Sequence, residues 1–116
     1  MAASKAPANR LRHILDEARA IEQTARDTTF ERFRDTWLIR RAVEHGLLII
    51  TEAAKTLPQE LKATQPAIPW RQIESFGNLL RHEYREVDPA ALWRIVHEEL
   101  PRVVAAAQAM LDELDR

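Results

Sequence analysis

The chain has 116 residues, close to the usual size of one domain, so one hydrophobic core is expected and a separate catalytic lobe is excluded. Hydrophobic residues make up 46%, about a third of them alanine, and glycine is limited to 2; packed helices have this composition, whereas β-sandwiches and disordered tails do not. With 17 basic against 18 acidic residues the net charge is -1, so any contact with RNA or DNA must be local rather than through bulk charge.

The lack of cysteine removes disulfides, thiolate nucleophiles and zinc-thiolate sites, and fits a reducing cytosol. No run approaches the ~20 apolar residues that span a bilayer, and the N-terminus shows neither an apolar export segment nor a cleavage site. The expectation is a soluble cytoplasmic protein with no membrane partner.

In chain order, residues 1–8 are small, polar or proline without periodicity and read as a flexible N-terminal arm, leaving 9–116 as a single helical domain. Asn9 is the expected N-cap of a first amphipathic helix through Leu11, Ile14, Leu15, Ala18, Ile21 and Ala25. Phe30 and Phe33 suggest a short packed turn. Asp35 or Thr36 then caps a central helix running to about Leu57, with Leu38, Ala42, Leu47, Ile49, Ile50, Ala53 and Ala54 among its apolar positions, before Pro58 stops it. A polar connection holds one helical turn at Gln59 to Ala63, and Pro69 is placed to open a third helix, Trp70 to Leu80 or Arg81. His82 to Val87 lacks helical periodicity and reads as a loop. Asp88 and Pro89 open a last helix through Leu92, Ile95, Val96, Val103, Val104, Ala107, Leu111 and Leu114, which Pro101 should kink or split. The pattern predicts an all-α antiparallel bundle of four to five helices.

Of the four histidines, three have ordinary readings. His13 and Glu17 are an i,i+4 surface pair without a third metal ligand; His45 beside Glu44, Arg40 and Arg41 belongs to a solvated charge patch; His97 before Glu98 and Glu99 lacks the second histidine of a metalloprotease helix. His82 differs, because it ends the run Gly77-Asn78-Leu79-Leu80-Arg81-His82-Glu83-Tyr84, where polar groups gather as the bundle closes. An imidazole moves protons near neutral pH while a neighbouring guanidinium holds a phosphate oxygen. Trp37, Trp70 and Trp93 read as packing residues, and Arg32, Arg34, Arg40 and Arg41 as a basic stripe partly cancelled by Glu31, Asp35 and Glu44.

Several blocks in order carry a family likeness: Arg10-Leu11-Arg12-His13-Ile14-Leu15, Leu48-Ile49-Ile50-Thr51-Glu52-Ala53-Ala54-Lys55, Ile68-Pro69-Trp70-Arg71-Gln72-Ile73, Asn78, His82-Glu83-Tyr84, Val87-Asp88, Trp93, Ile95-Val96 and Leu100-Pro101. The sequence resembles the HepT-like ribonuclease toxins, HEPN-fold members of toxin-antitoxin pairs whose antitoxin is a minimal nucleotidyltransferase. The family motif is an arginine, four to six residues, a histidine, one residue and a tyrosine. His82 and Tyr84 match it. The arginine does not, since Gly77 stands five before His82, and Arg81 is an addition. Position 81 lies one turn after 77 on the same face, so the Arg81 guanidinium could cross the space that Gly77 leaves.

The resemblance implies a homodimer in which two His82 side chains share a cleft, an arrangement that supplies the base and acid RNA cleavage needs without a metal or other cofactor; from their positions on the helix, Asn78 could place a phosphate or His82, and Arg81 could stand in for the motif arginine. It also implies that Tyr84 receives AMP from the nucleotidyltransferase. The alternative is a binding module that has lost cleavage with the arginine and only engages that partner; a plain dimeric scaffold explains the motif blocks least.

Overall fold

The apolar spacing is realised as seven α-helices among the described residues of a computed structural model, which covers residues 2–116 with side chains from Ala6. They are α1 (Ala2–Arg26), α2 (Phe30–Asp35), α3 (Trp37–Lys55), α4 (Gln59–Lys62), α5 (Trp70–Glu83), α6 (Pro89–Arg94) and α7 (Leu100–Leu114). A 3₁₀ turn, Tyr84–Glu86, follows α5, and a π turn, Ile95–Glu99, joins α6 to α7. The architecture is an all-α bundle.

Helix α1 begins at Ala2 and not at Asn9. Ala8, 6% exposed, extends the stripe of Leu11 and Leu15 by one turn, so the apolar face continues upstream of the expected cap. Asn9 caps nothing; its Oδ1 accepts from Arg12 Nη1 at 3.3 Å. Met1 lies outside the described residues. The expected turn at Phe30 and Phe33 is the short helix α2, opened by Thr29, whose Oγ1 accepts from the Arg32 amide at 3.2 Å. Phe33 is buried, and Phe30 and Phe33 lie 5.9 and 5.3 Å from the Trp93 ring, so aromatic packing joins α2 to α6.

Helix α3 lies between α1 and α5, while α1 also packs on α7. The two glycines mark the two sides of α3. A Cβ at Gly46 would stand 2.9 Å from Ile21 Cδ1 on α1, and a Cβ on Gly77 of α5 would stand 2.5 Å from Thr51 Oγ1 and 2.8 Å from Thr51 Cβ on α3. The bare backbone lets three helices approach closely around one axis. Downstream, the Trp70 indole N–H is shared between the Lys62 and Gln65 carbonyls at 3.1 and 3.2 Å, which ties the proline-containing connection to the start of α5.

The segment expected as a loop, His82 to Val87, is ordered otherwise: His82 and Glu83 complete α5, and Tyr84–Glu86 tightens into 3₁₀ geometry. Its polar side chains lack an apolar stripe because the turn lies on the surface. Asp88 caps α6 as expected, its Oδ1 accepting from the Ala90 amide at 3.2 Å with Pro89 in the first turn. Asp88→Ala should therefore lower stability by about 1 kcal/mol, read from urea unfolding, with Asp88→Ser retaining most of it. Pro101 splits the last helix as expected. The split is the π turn, in which the Leu100 amide reaches the Ile95 carbonyl.

No helix among the described residues is long and apolar enough to cross a membrane.

Candidate functional site

Helix α5 has two chemically different sides. At about 100° per residue, Gly77 and Arg81 share one side and Asn78 and His82 the next. Gly77 is buried against Thr51, so no open space lies above it for a guanidinium to cross; this corrects the expectation drawn from the sequence. Arg81 instead forms an ion pair with Glu52 of α3. Asn78 and His82 are exposed, and among the described residues neither side chain hydrogen-bonds within the chain. Structure thus keeps Asn78 and His82 together and separates them from Gly77 and Arg81.

Tyr84, 38% exposed, opens the 3₁₀ turn immediately beyond α5. The Arg41 guanidinium lies 4.8 Å from its ring centroid and the Arg85 guanidinium 5.9 Å, so two cations hold the ring by its π-faces. Arg41 also lies 5.7 Å from the Trp37 ring and donates to Glu44 Oε1 at 2.8 Å. His45 is exposed, as the reading of a solvated patch expects, but Glu44 is only 8% exposed, which corrects that reading for Glu44 and Arg41: the arginine is drawn inward because a buried carboxylate needs its charge matched. These residues, with Leu48, Leu80 and Arg81, line a groove of about 300 Å³ between α3 and α5.

Trp37 and Leu38 also depart from expectation. Both stand exposed, at 60% and 68%, in the first turn of α3. Trp70 and Trp93 do pack on the core. His13 is exposed, and His97 places Nδ1 2.8 Å from the Trp93 carbonyl one turn back. Beyond the groove, Asp35 is held below its ordinary carboxylate range by hydrogen bonds from the adjacent Arg34 guanidinium. No cluster of three or more metal-binding side chains occurs among the described residues.

Sequence reasoning missed Arg41, His45 and Glu52 as neighbours of the motif. The signal was available: Arg41, His45 and Glu52 fall at i, i+4 and i+11, one polar stripe interrupted by Leu48 along an otherwise apolar central helix. A second groove, of about 470 Å³, is apolar and lined by Ile50, Ile73, Phe76, Leu100 and their neighbours; it contains none of the motif side chains.

The all-α bundle is of the HEPN-like class. The chain belongs to the HepT-like ribonuclease family, whose model matches residues 14–110. It is 30% identical over 109 residues to a candidate RNase of Caldanaerobacter subterraneus subsp. tengcongensis, covering 94% of this chain and 97% of that one. It is 36% identical over 91 residues to a probable ribonuclease HepT of Thermococcus cleftensis, covering 78% and 83%. A Methanocaldococcus jannaschii protein named as a gamma-glutamylcyclotransferase and candidate RNase is 30% identical over 106 residues; they cover 91% of this chain but only about half of that protein, 48%. No solved structure matches the chain.

Proposed function

We propose that this protein is a metal-independent endoribonuclease toxin, acting in the cytoplasm as a homodimer and neutralised by a nucleotidyltransferase antitoxin that adds AMP to Tyr84. The observation that carries this reading is the unpartnered His82 on the exposed end of α5, in a chain of the HepT-like family. With two copies facing each other, one neutral imidazole takes the proton of the ribose 2′-hydroxyl as its oxygen attacks phosphorus. The protonated imidazole of the second copy gives its proton to the departing 5′-oxygen. The products are a 2′,3′-cyclic phosphate and a 5′-hydroxyl. Asn78, one turn earlier on the same side, can donate its amide to the phosphate, and Arg81 can add positive charge to the charged intermediate when it turns from Glu52. Purified protein should cleave RNA in the presence of EDTA. Loss of cleavage on chelation, restored by a divalent metal, overturns the metal-independent step.

Neutralisation is a separate chemistry on the same surface. The phenolic oxygen of Tyr84 attacks the α-phosphorus of ATP in the partner's magnesium site, pyrophosphate leaves and the phenol proton is lost to solvent. The added phosphate sets negative charge beside Arg41 and Arg85, where RNA would otherwise bind. In the co-expressed pair with ATP and magnesium, mass spectrometry should find one or more AMP units on Tyr84, and Tyr84→Phe should abolish them while leaving cleavage in place. AMP on another residue, with Tyr84 unmodified, overturns this assignment.

A second reading has a specific observation behind it. Gly77 is buried against Thr51 and Arg81 is already paired, so no free arginine occupies the motif position. A chain that pairs with the nucleotidyltransferase without cleaving RNA would keep the Tyr84 modification and lack the cleavage.

A further inference from the structure

Trp37 is a large side chain left mostly uncovered in a small bundle whose other two tryptophans are packed. It stands at the end of a continuous row: the Trp37 ring, the Arg41 guanidinium 5.7 Å from it, then the Tyr84 ring 4.8 Å from the same guanidinium, with Arg85 against Tyr84. Glu44 fixes Arg41 from beneath at 2.8 Å, so the arginine does not need to be ordered by a ligand. Behind the row lies the groove of about 300 Å³ floored by Leu48 and Leu80, with His45 and Arg81 on its walls, near the lower end of volumes that enclose a small ligand. Of the carboxylates near the groove, Glu44 pairs with Arg41 and Glu52 with Arg81, while the exposed Glu83 and Glu86 beside Tyr84, like Arg85, have no ion pair among the described residues. Glu83 and Glu86 lie outside the groove lining.

Alternating aromatic faces and guanidinium groups suit one kind of polymer. Unstacked bases need π-faces, and the phosphates between them need fixed cations. A duplex hides its bases and offers only its outer surface to such a row. We propose that Trp37, Arg41 and Tyr84 form a track for single-stranded RNA, one base stacking on Trp37 and the adjoining nucleotide entering the α3–α5 groove, so that the strand runs on toward His82. The inference rests on the ribonuclease reading and supplies its substrate class: unpaired RNA, selected by stacking and not by base-edge readout.

The test uses a fluorescently labelled, unstructured 2′-O-methyl oligoribonucleotide, whose blocked 2′-oxygen prevents cleavage whichever residue performs it. Binding is read by anisotropy for the full chain and for Trp37→Ala, with sedimentation and circular dichroism of the same samples. Trp37 is substituted because its exposure makes truncation cheap, whereas removing Arg41 would strand the buried Glu44. Trp37→Ala should weaken single-strand binding roughly tenfold with fold and mass unchanged, Trp37→Phe should stay within about twofold, and the duplex should bind more weakly than the single strand. Unchanged affinity in Trp37→Ala overturns the track. So does a loss of affinity that follows a loss of self-association, since the face would then hold a second copy, or a duplex bound as tightly as the single strand. Cleavage of unmodified RNA by the wild-type chain is measured separately: no cleavage with Trp37-dependent binding overturns the ribonuclease reading and leaves the track, and cleavage without such binding does the reverse.

Discussion

His82→Ala is expected to reduce RNA cleavage by roughly two to four orders of magnitude, the usual contribution of a positioned acid or base. Its melting temperature should stay within about a degree or two, because the side chain is exposed and hydrogen-bonds nothing within the chain among the described residues. If one imidazole acts as base and its counterpart as acid, a mixed dimer of wild-type and His82→Ala chains should be nearly as impaired as the double variant. A folded His82→Ala protein that cleaves normally removes this residue from the chemistry. Measuring rate and melting on the same preparation separates a chemical loss from an unfolded sample.

The second large effect concerns the attempt to restore the family arginine. Gly77→Arg should not create a better enzyme; it should damage the bundle. Its Cβ alone would lie 2.5 and 2.8 Å from Thr51 Oγ1 and Cβ, so α3 and α5 must part, and a guanidinium would enter the space between them. Overpacking of this kind costs about 1–3 kcal/mol before the charge is counted. Gly77→Ala isolates the steric part and should destabilise by about 1 kcal/mol or more, despite alanine's higher helix propensity. In a Thr51→Gly background the sign should reverse, since the colliding atoms are gone and propensity then favours alanine by up to about 1 kcal/mol. A denaturation cycle over the four chains decides it: additive effects at 51 and 77 would remove the contact as the reason for glycine. Any assay of a restored arginine belongs in the Thr51→Gly background.

This contact also shows where sequence reading reached its limit. The stripe of Leu11, Ile14, Leu15, Ala18 and Ile21 and the Asp88-Pro89 start signal are local patterns, and both α1 and α6 were legible from them, apart from the first turns of α1. Helix periodicity also placed Gly77 and Arg81 on one side of α5. What it could not supply is the identity of the residue across the interface, because Thr51 lies 26 positions away and only packing brings it to Gly77. The same holds for Arg41. Its charge suggested solvent, but a buried Glu44 on the same helix draws it inward and two aromatic rings flank it. His82 and Tyr84 were found through the motif spacing, which is local; the groove beside Tyr84 was not, because it is built by two helices.

The π turn between α6 and α7 has a consequence for descent. A turn closed from Ile95 to Leu100 holds one residue more than an α-helical turn, so it is the form in which a helix absorbs a single-residue insertion without passing the error onward. The helix before it meets α2 and the helix after it meets α1. Losing one residue between Arg94 and Pro101 would therefore restore α-helical pitch and leave the faces of α6 and α7 nearly in place, whereas gaining a further one would rotate α7 by about 100° relative to α6. A chain shortened by one of the exposed residues in this interval, His97, Glu98 or Glu99, is therefore expected to keep its bundle, and one lengthened there is not.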